Sequence, residues 1–265
     1  MSDTPNSSPD ALVQTNLSIR VINLSSEGER LQTTANLLAK ANLTWSRLDA
    51  VDGRKADLQT HPLNNPGRQK YLFGKPLTNG EIGCFLSHFQ ALKEFSTAPE
   101  PFLLILEDDA DIPANLSPLL DDLIAWAQAH PEHPTDCISL CNTTPKKTRR
   151  LADLGENALM RSWYFPILAT ACLWSKTGAA GFVRHVEQNG IEGAVDDRMR
   201  AWLAASGGGM FVTPAVVPPR PGKSSIDAVA PRSQHGGLPR WQKFWRKKLP
   251  DYVNALRHMT LNPRR

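Results

Sequence analysis

Glu107, Asp108, Asp109 and Asp111 crowd four carboxylates directly behind the apolar run Phe102–Leu106. Like charges at that density repel. Such a cluster is tolerated where a hard divalent cation neutralises it, and Mn2+ and Mg2+ take oxygen ligands that phosphates can complete. On an extended chain alternate residues face one side, which aligns Glu107 with Asp109 and Asp111. Asp109 is therefore the expected direct ligand of Mn2+ or Mg2+, with Asp111 on the same side as a substitute. The plainer reading, acids that cap the next helix or face water, stays open on these residues alone. A second acidic pair, Asp196 and Asp197 in GAVDDRMR, stands at an expected loop-to-helix junction, where a carboxylate serves as a general base or as an ordinary N-cap. Ser87 and His88 are adjacent in a helical stretch, so one of them points away from its apolar face. For His88 the choice lies between a core histidine and a site-lining one.

The elements that must position these groups follow from periodicity. FLLIL before the acids reads as a strand buried on both faces, as in a parallel sheet covered by helices, and ligands of open α/β sheets gather at the carboxyl edge of such strands. Upstream, LSIRVINL predicts a strand and EGERLQTTANLLAKANL a helix, while WSRLDAVDG predicts a short strand ending at Asp52-Gly53. The Pro-, Gly- and Asn-rich stretch 61–80 reads as irregular. A helix then starts near Thr78, with Glu81 three positions on as in a capping box and Ile82, Phe85, Leu86, Phe89 and Leu92 as its apolar face. Downstream come a helix stopped by Pro131, a short strand in DCISLCN, a strand, turn and helix over 163–190, a helix after Asp196-Asp197, an extended stretch GGMFVTPAVVPP and a loop over 221–238. This alternation predicts an α/β fold with a mostly parallel central sheet flanked by helices.

Of 265 residues 41% are hydrophobic and 21% charged, as in ordinary globular proteins, and no stretch approaches the roughly 18 to 20 apolar residues of a membrane span. Residues 1–16 lack the basic-then-apolar plan of a secretory signal, so they read as a polar leader and a cytoplasmic location is expected. In that compartment Cys84, Cys137, Cys141 and Cys172 read as reduced, mostly buried thiols, and no second Cys or His pair turns Cys137 and Cys141 into a zinc site. The net charge of +4 is concentrated in the last segment, where Arg240, Lys243, Arg246, Lys247 and Lys248 surround Trp241, Phe244 and Trp245. That make-up suits an interfacial helix on an anionic membrane surface, or else a helix that packs its tryptophans on the core; nucleic acid is not an expected partner of one short patch. The expected organisation is a leader (1–16), a globular domain (17–226) and a basic, aromatic tail (227–265).

Taken in order, VINL at 21–24 with Arg30 following, LDAVDG at 48–53, LTNGEIGCFLSHFQAL at 77–92 and LILEDDADI at 104–112 resemble glycosyltransferase family 25, the lipooligosaccharide galactosyltransferase-like family. The resemblance covers about residues 18–226 and is strongest through Ile112. It implies a GT-A type nucleotide-binding fold and a metal-dependent, inverting transfer of a hexose, galactose above all, from a UDP-sugar donor to a saccharide or lipid-linked saccharide acceptor. It further implies donor-binding roles for Asn23, Arg30, Ala50, Val51, Asp52, Glu81, Ser87, His88, Glu107 and Asp108, metal ligation by Asp109 or Asp111, and a base at Asp196 or its neighbour Asp197. An acceptor of that kind places the chain at the inner face of the cytoplasmic membrane, attached peripherally. PRPGKSSID departs from the family's pattern and lends nothing catalytic beyond a phosphate contact for Lys223. No late histidine ligand is identified, because His235 lies in an unmatched stretch. The competing readings are a catalytically degenerate member that serves as a binding module, and a metal-dependent phosphodiesterase or nucleotidyltransferase, which needs further Asp, Glu or His ligands at other strand ends.

Overall fold

The structure, a computed structural model, describes residues 16–141, 146–221 and 238–261. Nearly all of the expected leader, most of the 221–238 loop with Lys223 and His235, and Arg264 and Arg265 lie outside the described residues.

The order of elements is β1 (Leu17–Asn23), α1 (Gly28–Lys40), β2 (Ser46–Asp49), α2 (Pro66–Phe73), α3 (Asn79–Ser96), β3 (Phe102–Glu107), α4 (Leu116–Ala129), β4 (Cys137–Ser139), β5 (Lys146–Leu154), β6 (Asn157–Tyr164), β7 (Ala171–Ser175), α5 (Lys176–Asn189), α6 (Val195–Ser206), β8 (Gly209–Thr213), α7 (Arg240–Lys243), a π-helical turn (Phe244–Lys248) and α8 (Leu249–Leu261). The strands form one eight-stranded sheet in the order β2-β1-β3-β7-β4-β8-β6-β5. The α/β class with helices flanking a central sheet is as expected. The sheet is mixed: β2, β1 and β3 run parallel, as do β4 and β8, whereas β7 lies antiparallel between β3 and β4, and β6 pairs antiparallel with β5 and β8.

β3 is the axis of the core because every second residue faces one layer. Phe102, Leu104 and Leu106 meet Leu38 of α1 and Leu120 and Leu123 of α4, while Leu103 and Ile105 meet Phe85, Phe89 and Leu92 of α3 and Phe182 of α5. A strand covered on both faces has no room for a polar residue until it ends, and this one reaches Glu107 before the first.

Three local expectations are corrected. β2 stops at Asp49 rather than at Asp52-Gly53, because residues 50–54 leave the sheet edge to seat on α3. The stretch 61–80 contains a helix, α2, capped by the Asn65 side chain and opened by Pro66. β5 was not expected, since KKTRRLADL carries little apolar signal. As the edge strand of the sheet it needs none, and Gly155 at φ 60° closes its hairpin with β6.

Candidate active site

β1, β2 and β3 run parallel and so end together, and a pocket opens at their carboxyl ends. Its wall comprises Ile22, Leu24, Arg30, Ala50, Val51, Asp52, Gly53, Arg54, Gly80, Cys84, Ser87, His88, Glu107, Asp108 and Asp109.

The acidic corner is shaped by a turn. The Ala110 amide donates to the Glu107 carbonyl at 3.0 Å, so the strand's alternation ends there. Glu107, Asp108 and Asp109 consequently all reach the pocket, and Asp111 is carried outward into solvent. Asp111 is thus not beside Asp109, contrary to the extended-chain expectation, which needs the strand to continue through 108–111. Arg220 clamps the turn from the chain returning after β8: its amide donates to the Asp109 carbonyl at 2.7 Å, and its guanidinium to the carbonyls of Asp108 at 2.5 Å and Ala110 at 3.0 Å. The Thr34 hydroxyl adds a bond to the Asp108 carbonyl at 2.9 Å.

The side chains are knitted from the other direction. Asp108 accepts from Asn23 Nδ2 at 2.7 Å and pairs with Arg30 at 2.6 Å, and the same guanidinium reaches Asp109 Oδ2 at 3.2 Å. Burial pushes the carboxyls of both Asp108 and Asp109 above the usual range, reinforced by the Glu107 charge and only partly offset by Arg30. For Glu107 burial also acts upward, but the hydrogen bond and charge of His88, with Thr170 and Arg30, outweigh it and hold this carboxyl below its ordinary value. His88 Nε2 lies 3.1 Å from Glu107 Oε1, and since an ionised carboxylate only accepts, the shared hydrogen belongs to Nε2.

The facing wall is the 50–54 loop, laid on the first turns of α3. Ser87 Oγ donates to the Gly83 carbonyl at 2.7 Å and accepts the Val51 amide at 2.9 Å. A Cβ on Gly83 would stand 2.5 Å from the Val51 carbonyl oxygen, and one on Gly53 2.3 Å from that of Asn79, so both glycines are required by close approach. Asp52 accepts from the Arg54 amide, Nε and terminal nitrogen, which holds its carboxyl down at about 2, and Arg54 also donates to Ser26 Oγ at 2.8 Å.

Of the residues singled out from sequence, Arg30, Ala50, Val51, Asp52, Ser87, His88, Glu107, Asp108 and Asp109 converge here. Asn23 stands behind them, 1% exposed, aiming Asp108. Glu81 is occupied by the capping box, accepting from the Thr78 amide at 2.8 Å, and does not line the pocket. Asp196 and Asp197 lie in the first turn of α6, where Ala194 holds the N-cap position, so neither is the cap. Asp196 accepts the Asp197 amide at 2.8 Å, and its charge bears on Cys84 in the pocket wall. Burial raises the Asp196 carboxyl, Asp197 adds to the effect, and Lys247 and Arg200 oppose it. Asp197 is ion-paired with Lys247 of the terminal segment.

Arg54, Cys84 and Arg220 were missed. Arg54 directly follows the Asp52-Gly53 turn, and a cation beside a loop already assigned to the donor was its available signal. Cys84 sits one helical turn before His88 and shares its face. Arg220 had no local signal, because its role is to backbone atoms far away in sequence.

The residues fit a hard divalent cation. Asp109 Oδ1 is buried and has no hydrogen-bond partner, in contrast to both oxygens of Asp108, which are engaged by Arg30 and Asn23. A buried carboxylate oxygen left unmatched is costly unless a ligand takes it.

Comparison with known proteins agrees with the motifs. The family model described as Glycosyltransferase family 25 (LPS biosynthesis protein) matches residues 16–143. Procollagen galactosyltransferase 2 of Mus musculus is 34% identical over 95 residues, which is 34% of this chain and 15% of that protein. The Glycosyltransferase 25 family member of Aedes aegypti is 36% identical over 98 residues, 34% of this chain and 16% of that protein. The inactive glycosyltransferase 25 family member 3 of Homo sapiens is 30% identical over 115 residues, 41% of this chain and 19% of that protein. The matched stretch thus spans a fifth or less of the length of these relatives. Among solved structures, S. aureus TarS 1-349 aligns with a TM-score of 0.42 at 14% identity, over 77% of this chain and 60% of that one.

Proposed function

From the glycosyltransferase family 25 sequence of residues 16–143, we propose that the chain transfers a hexose, galactose in the first instance, from a UDP-sugar to a saccharide acceptor. The observation that carries this reading is the convergence of Arg30, Arg54 and the Glu107–Asp109 turn on one pocket at the ends of three parallel strands. Two guanidiniums suit the oxygens of a diphosphate, and the Ala50–Asp52 edge offers backbone and a carboxylate to the nucleoside. Mn2+ or Mg2+ would be held by Asp109, with Asp108 beside it, and would supply charge neutralisation to the departing diphosphate. Arg30, now spanning Asp108 and Asp109, is placed to follow the phosphates as they arrive. Glu107 stays ionised through His88, so it gives the donor's sugar a fixed hydrogen-bond acceptor. A buried aspartate with a raised carboxyl is a competent base near neutral pH, and Asp196 takes the proton of the attacking hydroxyl in a direct, inverting displacement.

The acceptor class follows the family's lipopolysaccharide connection: a lipid-linked saccharide at an anionic membrane surface on the cytoplasmic side, approached through the terminal segment. Trp241 and Trp245 are 64% and 60% exposed there, with Phe244 beside them, among basic residues. No helix among the described residues is long and apolar enough to cross a membrane, so the attachment is peripheral in this reading.

The test is a thermal-shift panel of nucleoside diphosphate sugars with and without Mn2+. UDP-galactose is expected to stabilise the protein in proportion to ln(1 + [L]/Kd), more strongly with the metal. Stabilisation by no nucleotide sugar under either condition overturns the proposal. One observation favours a second reading, a non-catalytic donor-binding module: Arg30 already pairs with both Asp108 and Asp109. Donor stabilisation indifferent to Mn2+, with no sugar released or transferred, supports it.

A further inference from the structure

Cys84, His88 and Glu107 each offer one ligand atom to a common point, and those three atoms lie within 4.8 Å of one another. No other group of three His, Cys, Asp or Glu side chains among the described residues does so. The convergence has a local cause. Cys84 and His88 are four apart on α3 and so share one face of the helix, and that face meets the end of β3 where Glu107 emerges. All three line the pocket, so a fourth position would open into it.

We infer that Cys84, His88 and Glu107 form a binding site for a borderline transition-metal ion of the Zn2+ class, with its remaining coordination position directed into the pocket. The donor set decides the class. A thiolate, an imidazole and a carboxylate together suit Zn2+ or Co2+, whereas Mn2+ and Mg2+ prefer oxygen alone, as at Asp109. Zinc bonds of about 2.0–2.3 Å require donor atoms some 3–4 Å apart, so the group closes on an ion by small side-chain adjustments. Burial, and after it the charges of Glu107, Asp196, Glu81 and Asp109, push the Cys84 thiol well up, so the metal itself must drive the thiol's deprotonation, while the same negative charges attract a cation. Binding releases one proton, that of the Cys84 thiol, to solvent. The hydrogen bond between His88 Nε2 and Glu107 gives way: the Nε2 proton leaves to solvent and the ring takes one up at Nδ1, so the imidazole stays neutral, Nε2 is free to ligate, and the net release remains one proton. The site shares His88 and Glu107 with the donor pocket of the sugar-transfer reading, but it needs neither Asp109 nor a nucleotide.

Cobalt is the probe, titrated into purified full-length protein under reducing conditions. One equivalent of Co2+ is expected to produce a thiolate-to-cobalt charge-transfer band in the near ultraviolet and visible bands of tetrahedral intensity, and Zn2+ should abolish both by displacement. Cys84→Ser should remove the charge-transfer band and weaken Zn2+ binding beyond the about 10- to 100-fold that losing a supporting residue costs. His88→Asn should weaken binding while keeping a thiolate band at saturating cobalt, which covers the case in which Cys84→Ser does not fold. Asp109→Asn should keep the thiolate-to-cobalt band at saturating cobalt, because Asp109 is not one of the three ligands. Wild-type protein that takes up no stoichiometric Co2+ overturns the inference, as does a band that survives Cys84→Ser or disappears in Cys141→Ser. Because the readout is spectroscopic, its failure leaves the donor thermal-shift result standing, and the reverse also holds.

Discussion

At the scale of single residues, the three acids of the turn are distinguished by their partners rather than by type. Asp108 is saturated by Asn23 and Arg30, Glu107 is held ionised by His88, and Asp109 alone keeps a buried oxygen open. Asp109→Asn should therefore lower sugar transfer by about 10²- to 10³-fold, the loss typical of removing one electrostatic contact made to a transition state, and should also abolish the Mn2+ enhancement of donor binding. Asp196→Asn should lower turnover by about 10²- to 10⁴-fold with UDP affinity intact, and calorimetric titration beside a radiolabelled transfer assay separates the two losses. The Lys247 charge pulls the Asp196 carboxyl downward. Lys247→Met should let that carboxyl rise, so a base that must be deprotonated is lost sooner on acidification. The acid limb of the kcat/KM profile should then move to higher pH, and a limb that moves to lower pH would exclude Asp196 as the base. Sequence made Asp109 legible because acids behind an apolar run are conspicuous. It misdirected Asp111, because the register after a strand's last residue depends on a turn that Arg220 holds from 110 to 112 positions away.

At the scale of elements, the pocket depends on how closely the 50–54 loop lies against α3. Alanine normally stabilises a helix interior relative to glycine by about 0.5–1 kcal/mol. Gly83→Ala should do the opposite, because its Cβ would meet the Val51 carbonyl at 2.5 Å, and the backbone shift should cost about 1–3 kcal/mol. Urea denaturation measures that loss, and donor affinity should fall alongside it because Val51 and Asp52 line the pocket. α3 and β3 were readable in advance from the Thr78–Glu81 capping box, the face from Ile82 to Leu92 and the run Phe102–Leu106, each of which is local. β5 was not readable, since an edge strand with a solvent-facing side shows no apolar run. Nor was the antiparallel insertion of β7, because the apolar pattern of a fully buried strand carries no information on its direction.

For the whole molecule, the terminal segment both packs and exposes. Tyr252 stacks on Tyr164 with ring centroids 4.6 Å apart, Arg246 lies over the Tyr71 ring, Lys247 lies over Phe73, and Ala255 is fully buried. The packing comes from Tyr252, Ala255, Arg246 and Lys247, while Trp241 and Trp245, the rings that a core-packing helix was expected to bury, stay mostly exposed. Replacing Trp241 and Trp245 by Ala should reduce sedimentation with anionic vesicles by at least about tenfold while leaving the melting temperature nearly unchanged, because both rings are mostly exposed. Asp251, 4% exposed, has its carboxyl raised to about 6 by burial, against the pull of Arg198, Arg200 and Lys247. A folded-state value above the unfolded one contributes stability that is fully present below about pH 4 and is lost as pH rises through 6. Asp251→Asn should remove that dependence and gain on the order of 3 kcal/mol at pH 7, seen as a smaller fall in melting temperature between pH 5 and pH 7 than in the wild type.

The insertion of β7 between β3 and β4, together with the Arg220 clamp, bears on the order of synthesis. A ribosome that has produced residues 16–143 has made every motif by which the chain is recognised, yet β3 at that moment lacks its neighbour on one side and the acidic turn lacks its guanidinium. The nascent amino-terminal half must wait, with an open strand edge, until some eighty further residues have cleared the exit tunnel. Chimeras or truncations cut at the end of the recognisable half should accumulate as aggregates, whereas boundaries placed beyond residue 220 should yield soluble protein.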